Sequence, residues 1–233
     1  MYEICPFITD RIWVIEYPVK YSGIKFSSRT TLIKLNDNSI LVHSPCKIDN
    51  SLKDKILEIG NVSCIIAPGN FHHLYVKSAQ DAFPKARTYI CQGVNKKQPN
   101  LKYDEILTDK SILEELLQQP ILGNKIMNEI AFLHKDTKTL ILVDIIENMG
   151  SNTKNIGWGI KIWWLILRMW NKAKPAPEYQ IGWRDKELAA QSLQKILDWD
   201  FDKIILAHGD LITQNAKQIA TQAWRKPLNK LKK

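Results

Sequence analysis

Apolar and polar positions recur with two different periods along the chain, and the switches between them predict its elements. Ile12-Trp-Val-Ile-Glu-Tyr17 is rich in β-branched and aromatic residues and predicts a strand. Residues 30–35 and 40–42 flank Asn36-Asp-Asn-Ser39, a run of turn formers, and predict a β-hairpin. A helix follows over about 51–59, with Ser51 accepting from the Asp54 amide and Gly60 as a left-handed stop. Strands and helices then alternate. Strands are predicted at 62–67, 86–91, 129–133, 139–143 and 201–207, with residues 135–138 as the turn inside one pair. Helices are predicted at 76–83, at 111–119 ending before Pro120, at 185–199 and at 212–224. The helix at 185–199 lines up Ala189, Leu193, Ile196 and Leu197 on one side. A hairpin start followed by β-α alternation predicts a mixed α/β domain.

Composition narrows the class. With 233 residues, 45% hydrophobic and 24% charged, the chain is globular in character, which excludes wholesale disorder. It suits one large domain, or at most two small ones. Lys and Arg outnumber Asp and Glu by 33 to 24, a net charge of +9, which favours acidic partners without choosing among them. Cys5, Cys46, Cys64 and Cys91 form no C-x-x-C pair and read as reduced thiols in a cytoplasmic protein. The first residues carry no basic, then apolar, secretory pattern.

The longest apolar run, 156–170, is broken by Lys161 and Arg168 and is too short to predict a membrane span. As a helix it sets Lys161, Arg168 and Lys172 in one narrow polar stripe among Trp163, Trp164 and Trp170. Two readings follow: a buried helix packed across the fold, or a surface for a membrane or protein partner. Pro175 and Pro177 make 173–178 linker-like and close a helical insertion spanning about 155–178. The basic tail at 224–233 reads as solvated. No phosphate-binding glycine motif and no base-stacking pattern occurs, so no specific nucleic acid partner is expected.

The five histidines are His43, His72, His73, His134 and His208, and each lies at or just beyond the C-terminal end of a predicted strand. Asp144 ends another, after Leu140-Ile-Leu-Val143. Ligand sites in α/β sheets form at such ends. Imidazole with carboxylate is the donor set that zinc or ferrous iron prefers. Cys46, in His43-Ser-Pro-Cys46, reads as a small buried thiol, and Asp210 as the cap of the last helix.

Ile66-Ala-Pro-Gly-Asn-Phe-His-His73, Phe132-Leu-His134, Leu142-Val-Asp144 and Ala207-His-Gly-Asp210 follow the hairpin-rich start in order. In this the chain resembles the metallo-β-lactamase superfamily, over about residues 6–225, and within it a branch classed as a domain of unknown function. The superfamily's first motif, His-x-His-x-Asp-His, is altered: Pro68 and Asn70 stand for the leading histidines and His72 for the aspartate. The resemblance implies a four-layer αββα sandwich. It implies one zinc or iron ion held by His72, His73, Asp144 and His208, with His134 nearby. Asp144 would orient a water, His43 would shuttle a proton, and a small molecule would be hydrolysed. The altered motif implies an alternative, a catalytically silent module of the same fold that docks a partner or membrane surface.

Overall fold

The computed structural model describes residues 2–21, 23–153 and 156–231. Met1, Ser22, Lys154, Asn155, Lys232 and Lys233 lie outside the described residues, and with them the expected start of the Trp-rich insertion and the end of the basic tail. The chain falls into two compact units: residues 1–17 with 29–107, and residues 18–28 with 108–233.

The first unit carries a seven-stranded sheet whose strands stand in chain order. They are β1 (Cys5–Ile8), β2 (Ile12–Tyr21), β3 (Ile24–Lys34), β4 (Ile40–His43), β5 (Val62–Ala67), β6 (Arg87–Ile90) and β7 (Glu105–Ile106). The far end of the β2–β3 hairpin, 18–28, counts with the second unit. Strand β1 runs antiparallel to β2 and β3 to β4, whereas β4 to β7 are parallel. The central strands β4 and β5 are apolar almost throughout, as strands covered on both faces must be. Helices α1 (Asn50–Ile59), α2 (Val76–Ala82) and α3 (Val94–Lys97) fill the connections.

Helix α1 begins earlier than expected. Its N-cap is Asp49, not Ser51: the Asp49 carboxylate accepts from the Leu52 amide at 2.8 Å. Leu52 and Ile56, four residues apart, are its buried face. Gly60 closes it in extended backbone, φ 168°, rather than the left-handed stop expected. Glycine is still required there, because a Cβ would sit 2.7 Å from the Asn38 carbonyl oxygen.

The second unit carries a four-stranded sheet of β8 (Leu116–Ile121), β9 (Glu129–His134), β10 (Thr139–Ile141) and β11 (Lys203–Ile205), in the order β11-β10-β9-β8. Strand β9 runs antiparallel to both β8 and β10, and β11 runs parallel to β10. The helix expected at 111–119 is not formed. Residues 116–121 are instead the edge strand, with Pro120 opposite Ile130. Six residues are too few for periodicity to separate strand from helix. An edge strand tolerates proline because an amide facing away from the sheet has no ladder bond to lose.

Helices α4 (Trp158–Ile166), α5 (Pro177–Gly182), α6 (Lys186–Leu197), α7 (Ala216–Ala223) and α8 (Arg225–Leu228) complete this unit. Pro177 is the first residue of α5, so 173–178 is a helix entry rather than a linker: at that position the missing N–H is not needed. Asp185 caps α6, accepting from the Glu187 and Leu188 amides at 3.1 and 2.9 Å. The helix expected at 212–224 is α7, which starts at Ala216 rather than 212. Ile212 pairs with Ile204 as a β-bridge, and the Asp210 amide donates to the Asn148 carbonyl, so Asp210 is no helix cap. Trp224 is fully buried and its indole N–H donates to the Ile145 carbonyl at 3.1 Å. Pro227 and Leu228 are also buried, so the supposed solvated tail is partly core.

Helix α4 is one-sided. Ile160 and Trp164 are buried against Met149, Met169, Ile24 and Phe26. Trp158 is 81% exposed, Ile166 65% and Trp163 52%, which corrects the expectation of a buried helix. The polar stripe is not formed either. The helix ends at Ile166 and Arg168 turns into left-handed backbone, φ 54°, which takes Arg168 and Lys172 off it. Among the described residues no helix is long and apolar enough to cross a membrane.

Candidate metal centre

In the first unit, His43 ends β4, paired with Thr31 on β3 and Ile66 on β5. It is 2% exposed. Burial first, and the His72 imidazole second, hold its pKa down to about 3. Held down in this way, the ring favours its neutral form at physiological pH. Ser44 follows in left-handed backbone, φ 53°. Its amide donates to the Ile66 carbonyl at 2.9 Å and its own carbonyl accepts from Thr30 Oγ1 at 2.8 Å. Its Oγ lies 2.8 Å from His72 Nδ1, which sets the His72 ring and turns Nε2 away from Ser44.

His73 is buried, and neither of its ring nitrogens has a hydrogen bond with a described residue. Burial first, then Lys97 and His72, push its pKa down to about 4. A buried imidazole in that condition costs about 1–3 kcal/mol for each unmet polar atom unless a ligand takes it. Cys46 is sealed, and burial pushes its thiol up to about 11, so it packs as a small apolar side chain.

In the second unit, the parallel register of β10 and β11 pairs Ile141 with Ile205. Asp144 and His208 each lie three residues past that pair and so leave the sheet at the same edge. His208 Nδ1 lies 2.9 Å from the Ser27 carbonyl, which only accepts, so this nitrogen carries the proton. The other nitrogen, Nε2, lies 3.4 Å from Asp144 Oδ1. The ring of Phe26 meets His208 edge to face at 5.0 Å. Gly209 is left-handed, φ +89°, and a Cβ there would collide with the Asn148 backbone, so the turn behind His208 admits only glycine.

Strand direction sorts the remaining residues. Because β9 is antiparallel to β10, its first residue lies beside the exit of β10 and its last at the far end. Glu129 is that first residue: it is buried and accepts from the Val143, Asp144 and Ile145 amides at 2.8, 3.0 and 2.9 Å. His134 is the last, paired with Thr139. Asp144 follows Thr139 by five residues and lies beyond the last residue of β10, at the opposite end of that strand from His134. His134 Nδ1 lies 2.9 Å from Thr137 Oγ1, within the 135–138 turn. His134 therefore does not join Asp144 and His208, contrary to the expectation drawn from strand ends alone.

Sequence reasoning missed Glu129 and Glu147. Burial, then Asp144, push Glu129 up to about 8 against the pull of its three amides. Burial, then Asp144, Glu178 and Glu129, raise Glu147 well above the carboxylate range. A cation is what such a cluster of acids favours.

The Asp144–His208 pair fits a metal. With Nδ1 carrying the proton, Nε2 turns a lone pair toward a carboxylate oxygen. Two ligand atoms on one tetrahedral ion with bonds of about 2.1 Å lie about 3.4 Å apart. The pair has that separation.

The sequence profile of the family described as Domain of unknown function (DUF4336) matches residues 9–160. No curated protein matches the chain. Among solved structures, metallo-β-lactamase FIM-1 from Pseudomonas aeruginosa in its mono-zinc form is similar at a TM-score of 0.65 and 11% identity, over 97% of this chain and 95% of that one. The metallo-β-lactamase from Hirschia baltica is similar at 0.65 and 10%, over 96% and 97%. The metal-soaked Flv1 flavodiiron core from Synechocystis sp. PCC6803 is similar at 0.62 and 14%, over 98% of this chain and 61% of that one. These likenesses show the fold: it is the α/β fold of the metallo-β-lactamases, as the order of histidines and aspartate led us to expect.

Proposed function

We propose that this chain, which belongs to the DUF4336 family, is a metal-dependent hydrolase that holds one zinc or iron ion and acts on a small molecule. The observation that carries the reading is the Asp144–His208 pair, with Nε2 and Oδ1 3.4 Å apart and the ring held by the Ser27 carbonyl. His72 and His73 are taken as the further ligands. Support comes from the Ser44 bond to His72 and from the two nitrogens of His73, which have no hydrogen bond with a described residue. His134 is left out of the set. That a relative of the same fold is described in a mono-zinc form makes one ion a reasonable loading.

When bound, such an ion supplies a water acidic enough to ionise near neutral pH. The protein's own groups do the rest. Asp144, besides holding the ion, would orient such a water. Glu129, through the Asp144 and Ile145 amides, fixes the backbone from which the Asp144 carboxylate projects. Ser27 and Phe26 keep His208 from rotating.

Elemental analysis of protein purified without chelator tests the reading. About one zinc or iron per chain is expected. It should be lost in His208→Ala and Asp144→Asn and retained in His134→Ala. Metal-free wild-type protein would overturn it.

A second reading is favoured by the outward face of α4. Trp158, Trp163 and Ile166 are exposed beside Lys161, and no acidic residue occurs between 156 and 177. Exposed tryptophan with cations suits an anionic membrane surface. In this reading the fold is a docking module. Binding to phosphatidylglycerol vesicles at low salt should drop in a Trp158→Ala, Trp163→Ala double variant, and wild-type protein that ignores such vesicles would remove the idea.

A further inference from the structure

A cavity of about 600 Å³ opens in the second unit. Its walls come from the segment before α5, from α5 with Trp183, and from the chain around α7 and α8. That volume lies within the roughly 300–1,000 Å³ usual for small-ligand sites. Its charge is of one sign. Lys172, Lys174, Arg225 and Lys226 line it, and no aspartate or glutamate does. None of the four makes an ion pair with a described residue, whereas Lys138 and Lys203 elsewhere in this unit each find an aspartate. None of the proposed metal ligands lines the cavity.

The fold fixes these cations where they are. The Lys174 backbone is tied in both directions to Glu147, at 2.7 and 3.0 Å. Arg225 and Lys226 stand on α8, whose rotation is blocked by buried Trp224, Pro227 and Leu228. Crowding registers at Lys174, whose ammonium is pushed down by burial first and then by Lys172, Lys226 and Arg168. Neutral amides of Asn148, Asn171 and Gln222 add hydrogen-bonding groups to the wall.

We propose that this cavity binds a phosphoryl-bearing anion. One phosphoryl group brings about −1.5 to −2 charges and three strong acceptor oxygens. Two such groups match four cations, whereas a lone carboxylate leaves most of them unneutralised. The planar fork of Arg225 suits paired phosphate oxygens, and the lysines act as point charges. The site needs no metal, so it stands or falls apart from the hydrolase reading.

The test uses the full chain after chelator treatment and inorganic pyrophosphate as the probe. Calorimetry should show saturable binding that weakens as salt rises and falls at least tenfold in a Lys174→Gln, Arg225→Gln double variant. A Lys85→Gln, Lys110→Gln control, which removes as much charge elsewhere, should bind as wild type. Circular dichroism melts check that the variants are folded. Binding of soluble pyrophosphate marks a free phosphate compound as the ligand. Binding confined to phosphatidylglycerol vesicles, lost in the Lys174/Arg225 variant, marks a lipid headgroup and supports the same assignment. No binding in either arm, unchanged binding in that variant, or citrate binding as tightly as pyrophosphate overturns it.

Discussion

His43 in the folded chain titrates at about 3, against 6.5 for a free imidazole. Between those values the unfolded chain takes up a proton that the fold refuses. The stability is therefore present above about pH 6.5 and is lost as the pH falls toward 3, at up to about 1.4 kcal/mol per pH unit. His73, held to about 4, adds to the same acid limb over a narrower window. Urea melts at successive pH values should show a shallower loss in His43→Gln than in wild type. Equal slopes between pH 6 and 4 would contradict the burial argument. At this scale the sequence made some residues legible and hid others for a geometric reason. Asp144 and His208 each follow an apolar run, and their strands are parallel and in register. His134 follows an equally good run, but its strand points the other way. Glu129 stands at a strand's start, where a reading of strand exits does not look, and three amide bonds through space give it its role.

Elements show the same limit in a different form. All nine residues of α4 are apolar or glycine except Lys161, so no amphipathic pattern says which side faces in. The structure chooses Ile160 and Trp164 for the interior. Trp164→Ala should therefore cost on the order of 3 kcal/mol, as a large buried aromatic does, and Trp158→Ala no more than about 0.5 kcal/mol. Denaturant titration of the two variants separates them, and similar losses would mean that the inward face has been misassigned. Strand β8 was unreadable because the six residues Leu-Leu-Gln-Gln-Pro-Ile carry no clear period, and their Pro-Ile end fits a helix stop as well as an edge strand. The start of α1 was displaced because Asp49 and Ser51 are both good caps, and only backbone placement chooses between them.

The fold as a whole was more legible than its details, since the order of strand-end histidines and aspartate survives errors of a few residues in any one element. What the whole molecule adds is linkage. If one ion binds the folded chain and not the unfolded one, zinc at about 100 times its dissociation constant stabilises by about 2.7 kcal/mol. For a chain of this length that is a rise of about 5–10 °C in Tm. Scanning calorimetry of stripped protein with and without zinc should show this rise in wild type and not in Asp144→Asn. An unchanged wild-type Tm would count against the metal reading.

The indole of Trp224 reaches back across 79 positions to the carbonyl of Ile145, the residue after Asp144. The closing helices therefore work as a latch on the loop that aims the carboxylate. Trimming the chain upstream of that ring would strand a buried carbonyl and loosen its neighbour, whereas a fusion joined after Leu231 would leave the latch engaged.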